Sequence, residues 1–243
     1  MKPALIFSLT AVPDVDGLRR LHSLPAELSA HEVAEFAYQR RRAADVGDCL
    51  PPHQQRIVHI SMILREGGLL RLISLSGEES NILQSFYDLA SNVGQILEWS
   101  GVTGQEALPA ATILRCRAMQ RHLPAIPGGV PVIDLAALLA SPLSPETLPL
   151  YEMATLSQLP FPKEKSQEDV WQAFLSEGVE GVEVSNEIRA LTVYQLWLRY
   201  RCMCGELDAA ASLQELALLR QTLRDCAAPH LHAYLAAWSA CAD

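Results

Sequence analysis

The stretch ALIFSLTAVPD, Ala4 to Asp14, decides how this sequence is read. Four apolar residues run into a polar, alternating stretch that ends at Pro13. That is the pattern of a strand leaving a buried core. Ser8 and Thr10 stand two apart, so on a strand both side chains leave the same face. What those two hydroxyls do bears directly on whether the protein is an enzyme.

The 243 residues suffice for one large domain or two small ones with a substantial core. Hydrophobic residues make up 49% and charged residues 19%, the balance of an ordinary globular protein. A net charge of −9 argues against nucleic-acid binding through bulk positive charge, though not against a local basic groove. Cysteines stand at 49, 116, 202, 204, 226 and 241 with no CxxC pair and no zinc-ligand spacing, as expected of reduced thiols in a cytosolic protein. Lys2 and the short apolar run after it are a poor secretory signal, and no apolar stretch is long enough to span a bilayer. A cytoplasmic protein with no membrane contact is expected.

Outward from the first strand, Val15 to Leu24 reads as a loop or short helix. Ser29 with Glu32 three residues on has capping-box spacing and opens a helix whose end carries Arg40, Arg41 and Arg42, where cations suit the helix dipole. RIVHISMIL and GLLRLISLS, joined by REGG, predict an antiparallel hairpin. EESNILQSFYDLASNVG predicts an amphipathic helix, QILEWS a fourth strand, ALPAATILRCRAMQRHL a helix, and VPVIDLAALLAS a short strand passing into helix. Prolines 142, 145, 149, 160 and 162 keep the helices between them short. From SQEDVWQAFLSEG onward the chain is mostly helical, with VSNEIRALTVYQLWLRYRCMCG its longest helix. Three strands followed by helices alternating with further strands imply an α/β layer with a mixed sheet. With no repeat, low-complexity segment or clear linker, residues 1–243 are expected to form a single domain.

Several stretches, in order, resemble the predicted 3′–5′ exonucleases related to the exonuclease domain of B-family DNA polymerases, a DnaQ-like group with the ribonuclease-H-like fold. Phe7-Ser8-Leu9-Thr10-Ala11-Val12-Pro13-Asp14 fills the frame of that family's F-D-I-E-T-V-P-D first strand. Leu50-Pro51-Pro52-His53-Gln54-Gln55-Arg56-Ile57-Val58 is similar to its L-P-x-H-x-Q-x-V. EWSG, from Glu98, resembles the S-W-N-G turn, and VIDLAALL resembles H-x-D-L-M-D-x-L. VWQAFLSEGVEGV followed by SNEIRALTVYQLWLRY resembles V-W-x-A-Y and then Y-C-E-x-D-V-x-x-T-Y, and PHLHAYLAAW fits the family's ending. The resemblance implies a mixed sheet flanked by helices, with a helical C-terminal part.

It also implies a chemistry. Exonucleases of this kind hydrolyse a phosphodiester with two divalent cations, held by four carboxylates spread over three motifs. On the first strand the carboxylate positions match Ser8 and Thr10. The second motif falls on Ala110 when TILRCRAM is aligned, or on Gln105 when counted forward from Trp99. In the last motif Arg189 takes the aspartate position and Ser185 that of a water-orienting tyrosine, while Glu187 should face elsewhere on its helix. A guanidinium about 4 Å from a divalent cation would be repelled by roughly 8 kcal/mol at an effective dielectric of 20. Asp14, Asp16, Asp134 and Glu187 are the candidates for a relocated site, with turn and cap roles the plainer reading for Asp14 and Asp134. Only QRHLPAIPGG bridges a gap where the family carries a longer polar and aromatic segment.

The departures imply a degenerate exonuclease, not an enzyme and without cofactor, serving as a structural or interaction subunit for a protein partner or for itself. An alternative is non-cleaving binding of single-stranded nucleic acid, with Arg189 on a phosphate and Trp99 on a base. Salt bridging of Arg189 and burial of Trp99 in the core are the plainer roles for those two. An active exonuclease with a rearranged metal site is the remaining alternative. Ser/His catalysis has little support, with scattered histidines and no GxSxG elbow.

Overall fold

The computed structural model describes residues 3–45, 47, 49–100, 109–123, 130–140 and 148–241. The opening stretch forms one continuous strand, β1 (Ala4–Pro13), longer than its apolar half alone. It is followed by α1 (Val15–His22) and α2 (Ala30–Ala43). Ser29 and Glu32 form the expected capping box at the start of α2, and Arg40 to Arg42 occupy its last turn. A turn of 3₁₀ helix at Pro52–Gln54 leads into the hairpin of β2 (Gln55–Glu66) and β3 (Leu69–Ser76). Its two-residue loop has Gly67 at φ +54°, the left-handed conformation that mirror-image hairpin turns require. Next come α3 (Glu79–Ala90), β4 (Gln95–Glu98), α4 (Ala110–Gln120), β5 (Val132–Asp134) and α5 (Leu135–Leu139).

The helical remainder is α6 (Leu150–Leu156), α7 (Gln167–Glu177), α8 (Glu180–Met203), α9 (Ala209–Asp225) and α10 (Pro229–Cys241). At 24 residues α8 is the longest, and it starts four residues earlier than its apolar pattern marks. Among the described residues no helix is long and apolar enough to cross a membrane.

The sheet order is β3-β2-β1-β4-β5. β1 and β3 flank β2 in antiparallel fashion, while β4 and β5 run parallel to β1. This mixed sheet with helices on both faces is the ribonuclease-H-like arrangement. Alternation along β1 sorts its side chains. Leu5 and Phe7 pack with Ile82, Leu83 and Phe86 of α3 and with Ile113 and Leu114 of α4. Ala4 and Ile6 face the other way, into a core built on Ala190, Leu191, Tyr194 and Trp197 of α8. A bulge shifts the register between Thr10 and Ala11. Val58 is the extra residue on β2, and it joins Val12 in a third cluster under α1, α2 and α7.

One detail of this sheet places the site. On β1, β4 pairs with Ala4, Leu5 and Ile6 and no further. Beyond Ile6 that edge of β1 has no strand beside it among the described residues, so Ser8 and Thr10 border open space.

Candidate functional site

Ser8 and Thr10 continue the α8-facing side of β1, opposite Ser61 and His59 of β2. All four are polar and buried, and α8 answers them with one amide, Asn186. Ser8 Oγ donates to Asn186 Oδ1 at 2.6 Å. The Asn186 Nδ2 group faces the Ser8 carbonyl oxygen at 3.0 Å, His59 Nδ1 at 3.0 Å and Ser61 Oγ at 3.2 Å. Nδ1 of His59 therefore accepts, which places its proton on Nε2, 3.6 Å from Glu183 Oε1. Burial holds the His59 imidazole below its ordinary pKa against the pull of Glu183 and Glu187, so it stays neutral. The hydroxyl at Ser8 is thus consumed within the fold.

The open edge of β1 leads into a cavity of about 240 Å³. Ser8, Thr10, Ala110, Ser185 and Arg189 all line it. Five positions predicted from three separated motifs converge on one place. Ala110 is the first residue of α4, as expected of the second motif, while Gln105 lies outside the described residues, as does most of QRHLPAIPGG. Ser185 Oγ donates to the carbonyl of Val182 in its own helix. Arg189 forms an ion pair with Glu164 and donates from Nη2 to the Trp99 carbonyl at 3.2 Å. The connection from α6 to α7, PFPKEKS, thereby straps across the cavity, with Lys163 and Lys165 exposed beside Glu164.

Trp99 also lines the cavity, but it is only 4% exposed and its Nε1 donates to the Leu148 carbonyl. An indole so placed is core, with little open face for a base. Two carboxylates line the space. Glu164 is engaged by Arg189. Glu98, at the end of β4, accepts from the Ala111 amide at the start of α4 at 2.9 Å. Burial is the largest influence on Glu98 and pushes its carboxyl up to about 7, against the Ala111 amide, which favours the anion.

The other candidate carboxylates have structural work. Asp14 caps α1 through the Gly17 amide and pairs with Arg117 at 2.7 Å. Asp134 caps α5 and accepts from the Ser100 amide and hydroxyl. Asp16 lies in the first turn of α1, where an acid suits the dipole. Glu187 turns away from Arg189, as its spacing predicts, and engages Ser74 of β3 and His230 of α10.

The donor set does not fit a pair of divalent cations. Ser8 is bound by Asn186, Arg189 is a cation, Glu164 is neutralised, and Glu98 is held by the Ala111 amide. Among the described residues no three His, Cys, Asp or Glu side chains stand together as metal ligands. Lys163, Lys165 and Arg189 against Glu98 and Glu164 leave the cavity with a positive excess, which disfavours a metal further.

Asn186, Glu98 and Glu164 were not singled out from the sequence. Asn186 had a signal: it continues the stripe of Ala190, Val193 and Trp197, which marks it as an amide at a core-facing position. Glu98 and Glu164 gave none, because which carboxylate meets which cation is set by chain segments far apart in sequence. No curated protein matches the chain. Residues 130–238, which include Glu164, Ser185, Asn186 and Arg189, match the family described as predicted 3′–5′ exonucleases related to the exonuclease domain of PolB.

Proposed function

We propose that this protein is a catalytically degenerate 3′–5′ exonuclease, one domain in extent, that works in the cytoplasm as a non-catalytic binding or scaffold component, in a DNA-processing setting. A protein partner or a second copy of the chain supplies its use. One observation carries the reading: the five family positions meet in a single cavity, and none of them is a carboxylate. A two-metal hydrolysis needs several anionic oxygens converging on the cations. The two carboxylates that do line the cavity are committed, one to Arg189 and one to the Ala111 amide.

Digestion of 3′-labelled single-stranded DNA in Mg²⁺ and in Mn²⁺ tests it. The expected result is no shortening above a metal-free control. Protein-dependent trimming from the 3′ end would overturn the reading and restore an active exonuclease with a rearranged site.

A second reading has an observation of its own. The chain has three lysines, and two of them, Lys163 and Lys165, stand exposed at the cavity. Such a pair suits a phosphate backbone, so the protein would bind single-stranded nucleic acid without cutting it. Binding that weakens with salt, and weakens again in a K163A/K165A variant, would favour this over a protein partner.

A further inference from the structure

α4 runs from the cavity just described to a second one. Ala110 lines the first, and Arg117, Gln120 and Arg121 line the second, about 10 to 16 Å along the helix axis at 1.5 Å per residue. This second cavity, of about 530 Å³, lies past the end of β1 and is completed by Asp14, Arg20 and His53.

Its floor is a buried charge network with more donors than acceptors. Arg117 is 1% exposed. Its Nε and Nη2 bind the two oxygens of Glu79, and its Nη1 binds Asp14 at 2.7 Å and Gln120 at 2.6 Å. Glu79 Oε1 also accepts from the Ile57 amide at 2.7 Å. Arg121 then adds Nε and Nη2 to Glu79 Oε2, at 3.1 and 2.9 Å. Five donors converge on one carboxylate, whose oxygens offer about four lone-pair sites. The surplus falls on Arg121, whose side chain is 41% exposed while Glu79 and Arg117 are sealed. Arg20, on the exposed side of α1, makes no hydrogen bond among the described residues.

Charge points the same way. Arg20, Arg117 and Arg121 carry three positive charges against one each on Asp14 and Glu79. That leaves a local excess of one positive charge, before any from His53, on a chain of net charge −9. Asp14 faces the same space, but Arg117 and the Gly17 amide hold its carboxylate despite burial. A ligand suited to this place is compact, anionic and rich in acceptor oxygens.

We propose that the second cavity binds a phosphate group carried by a small molecule, a phosphomonoester or pyrophosphate. Arg121 and Arg20 are its direct donors. Arg117 and Glu79 position Arg121 beneath it. The site shares no lining residue with the first cavity.

The test is calorimetric titration of orthophosphate and of pyrophosphate into the full chain at low ionic strength. Saturable one-site binding is expected for at least one of them. Losing a charged hydrogen bond to the anion weakens binding about tenfold, the loss expected in R20A and again in R121Q. Arg20 is exposed and makes no hydrogen bond among the described residues, so R20A keeps the test valid should R121Q fold poorly. An R224A variant, which removes an exposed charge on α9, should bind as the parent does. Absence of saturable heat at millimolar ligand would overturn the proposal. So would equal weakening in R224A, which means general charge attraction, or a loss confined to K163A/K165A, which places the anion in the first cavity.

Discussion

Asn186 holds Ser8 from both sides, accepting a hydrogen bond from its hydroxyl and donating one to its carbonyl, while the same amide serves His59 and Ser61. Replacing it with leucine leaves these buried partners without a bond, and each such orphan costs about 1–3 kcal/mol. N186L should therefore lose about 3 kcal/mol in urea unfolding; an unchanged midpoint would contradict the network. Glu98 makes a prediction of opposite sense. Its folded-state pKa, about 7, lies above the ordinary 4.5, so the folded protein binds the extra proton. The stabilisation is full below pH 4.5 and is lost as pH rises through 7. The difference corresponds to at most about 3 kcal/mol. E98Q, which keeps an acceptor for the Ala111 amide, should match the parent near pH 4.5 and exceed its stability at pH 8. Parallel stability curves for the two proteins would show that Glu98 ionises freely.

Two elements are locked by features that contact patterns alone do not reveal. At Gly181 a Cβ would stand 2.7 Å from the Ala173 carbonyl oxygen and 3.1 Å from Glu177 Cβ, so α7 and α8 touch where a glycine allows it. Alanine gains about 1 kcal/mol of helix propensity, but the overlap costs about 1–3 kcal/mol, and its hard partner is backbone. G181A should destabilise on balance, and a rise in Tm would mean the helices separate without cost. The hairpin is tied to α9 by Arg65, whose Nε and Nη2 bind the two Glu215 oxygens at 2.7 Å, with Tyr194 adding its hydroxyl at 2.9 Å. Burial opposes the Glu215 anion, yet Arg65 and Tyr194 hold its pKa below the ordinary value. That stabilisation is present above the ordinary carboxylate range and is lost as pH falls through the lowered pKa. E215A, which leaves Arg65 buried and unpaired, should cost about 3–5 kcal/mol near neutral pH, read from urea midpoints. Glu215 continues the stripe of Leu219 and Leu223, but nothing in the sequence says that Arg65, 150 residues away, is what it meets. The strands, the hairpin turn and the α2 cap were legible, because each is encoded within a dozen neighbouring residues.

Across the whole molecule, the sequence named residues that the fold brings to one cavity, but not the side chains they meet there. Ser8, Thr10, Ala110, Ser185 and Arg189 come from separate segments, and the sheet order brings them to one cavity at the uncovered edge of β1. The Asn186 amide behind Ser8, the strap carrying Glu164, and the buried Glu98 carboxyl emerge only from packing. A cavity with no converging set of carboxylates among its described residues should gain no stability from a divalent cation. Ligand binding to the native state alone raises stability by mass action, about 2.7 kcal/mol at a hundredfold excess over Kd. Isothermal titration of Mn²⁺ into the purified protein is the most direct measurement. No saturable heat is expected at micromolar to millimolar Mn²⁺; micromolar binding at two sites would mean that the cavity holds the metal pair of an active exonuclease.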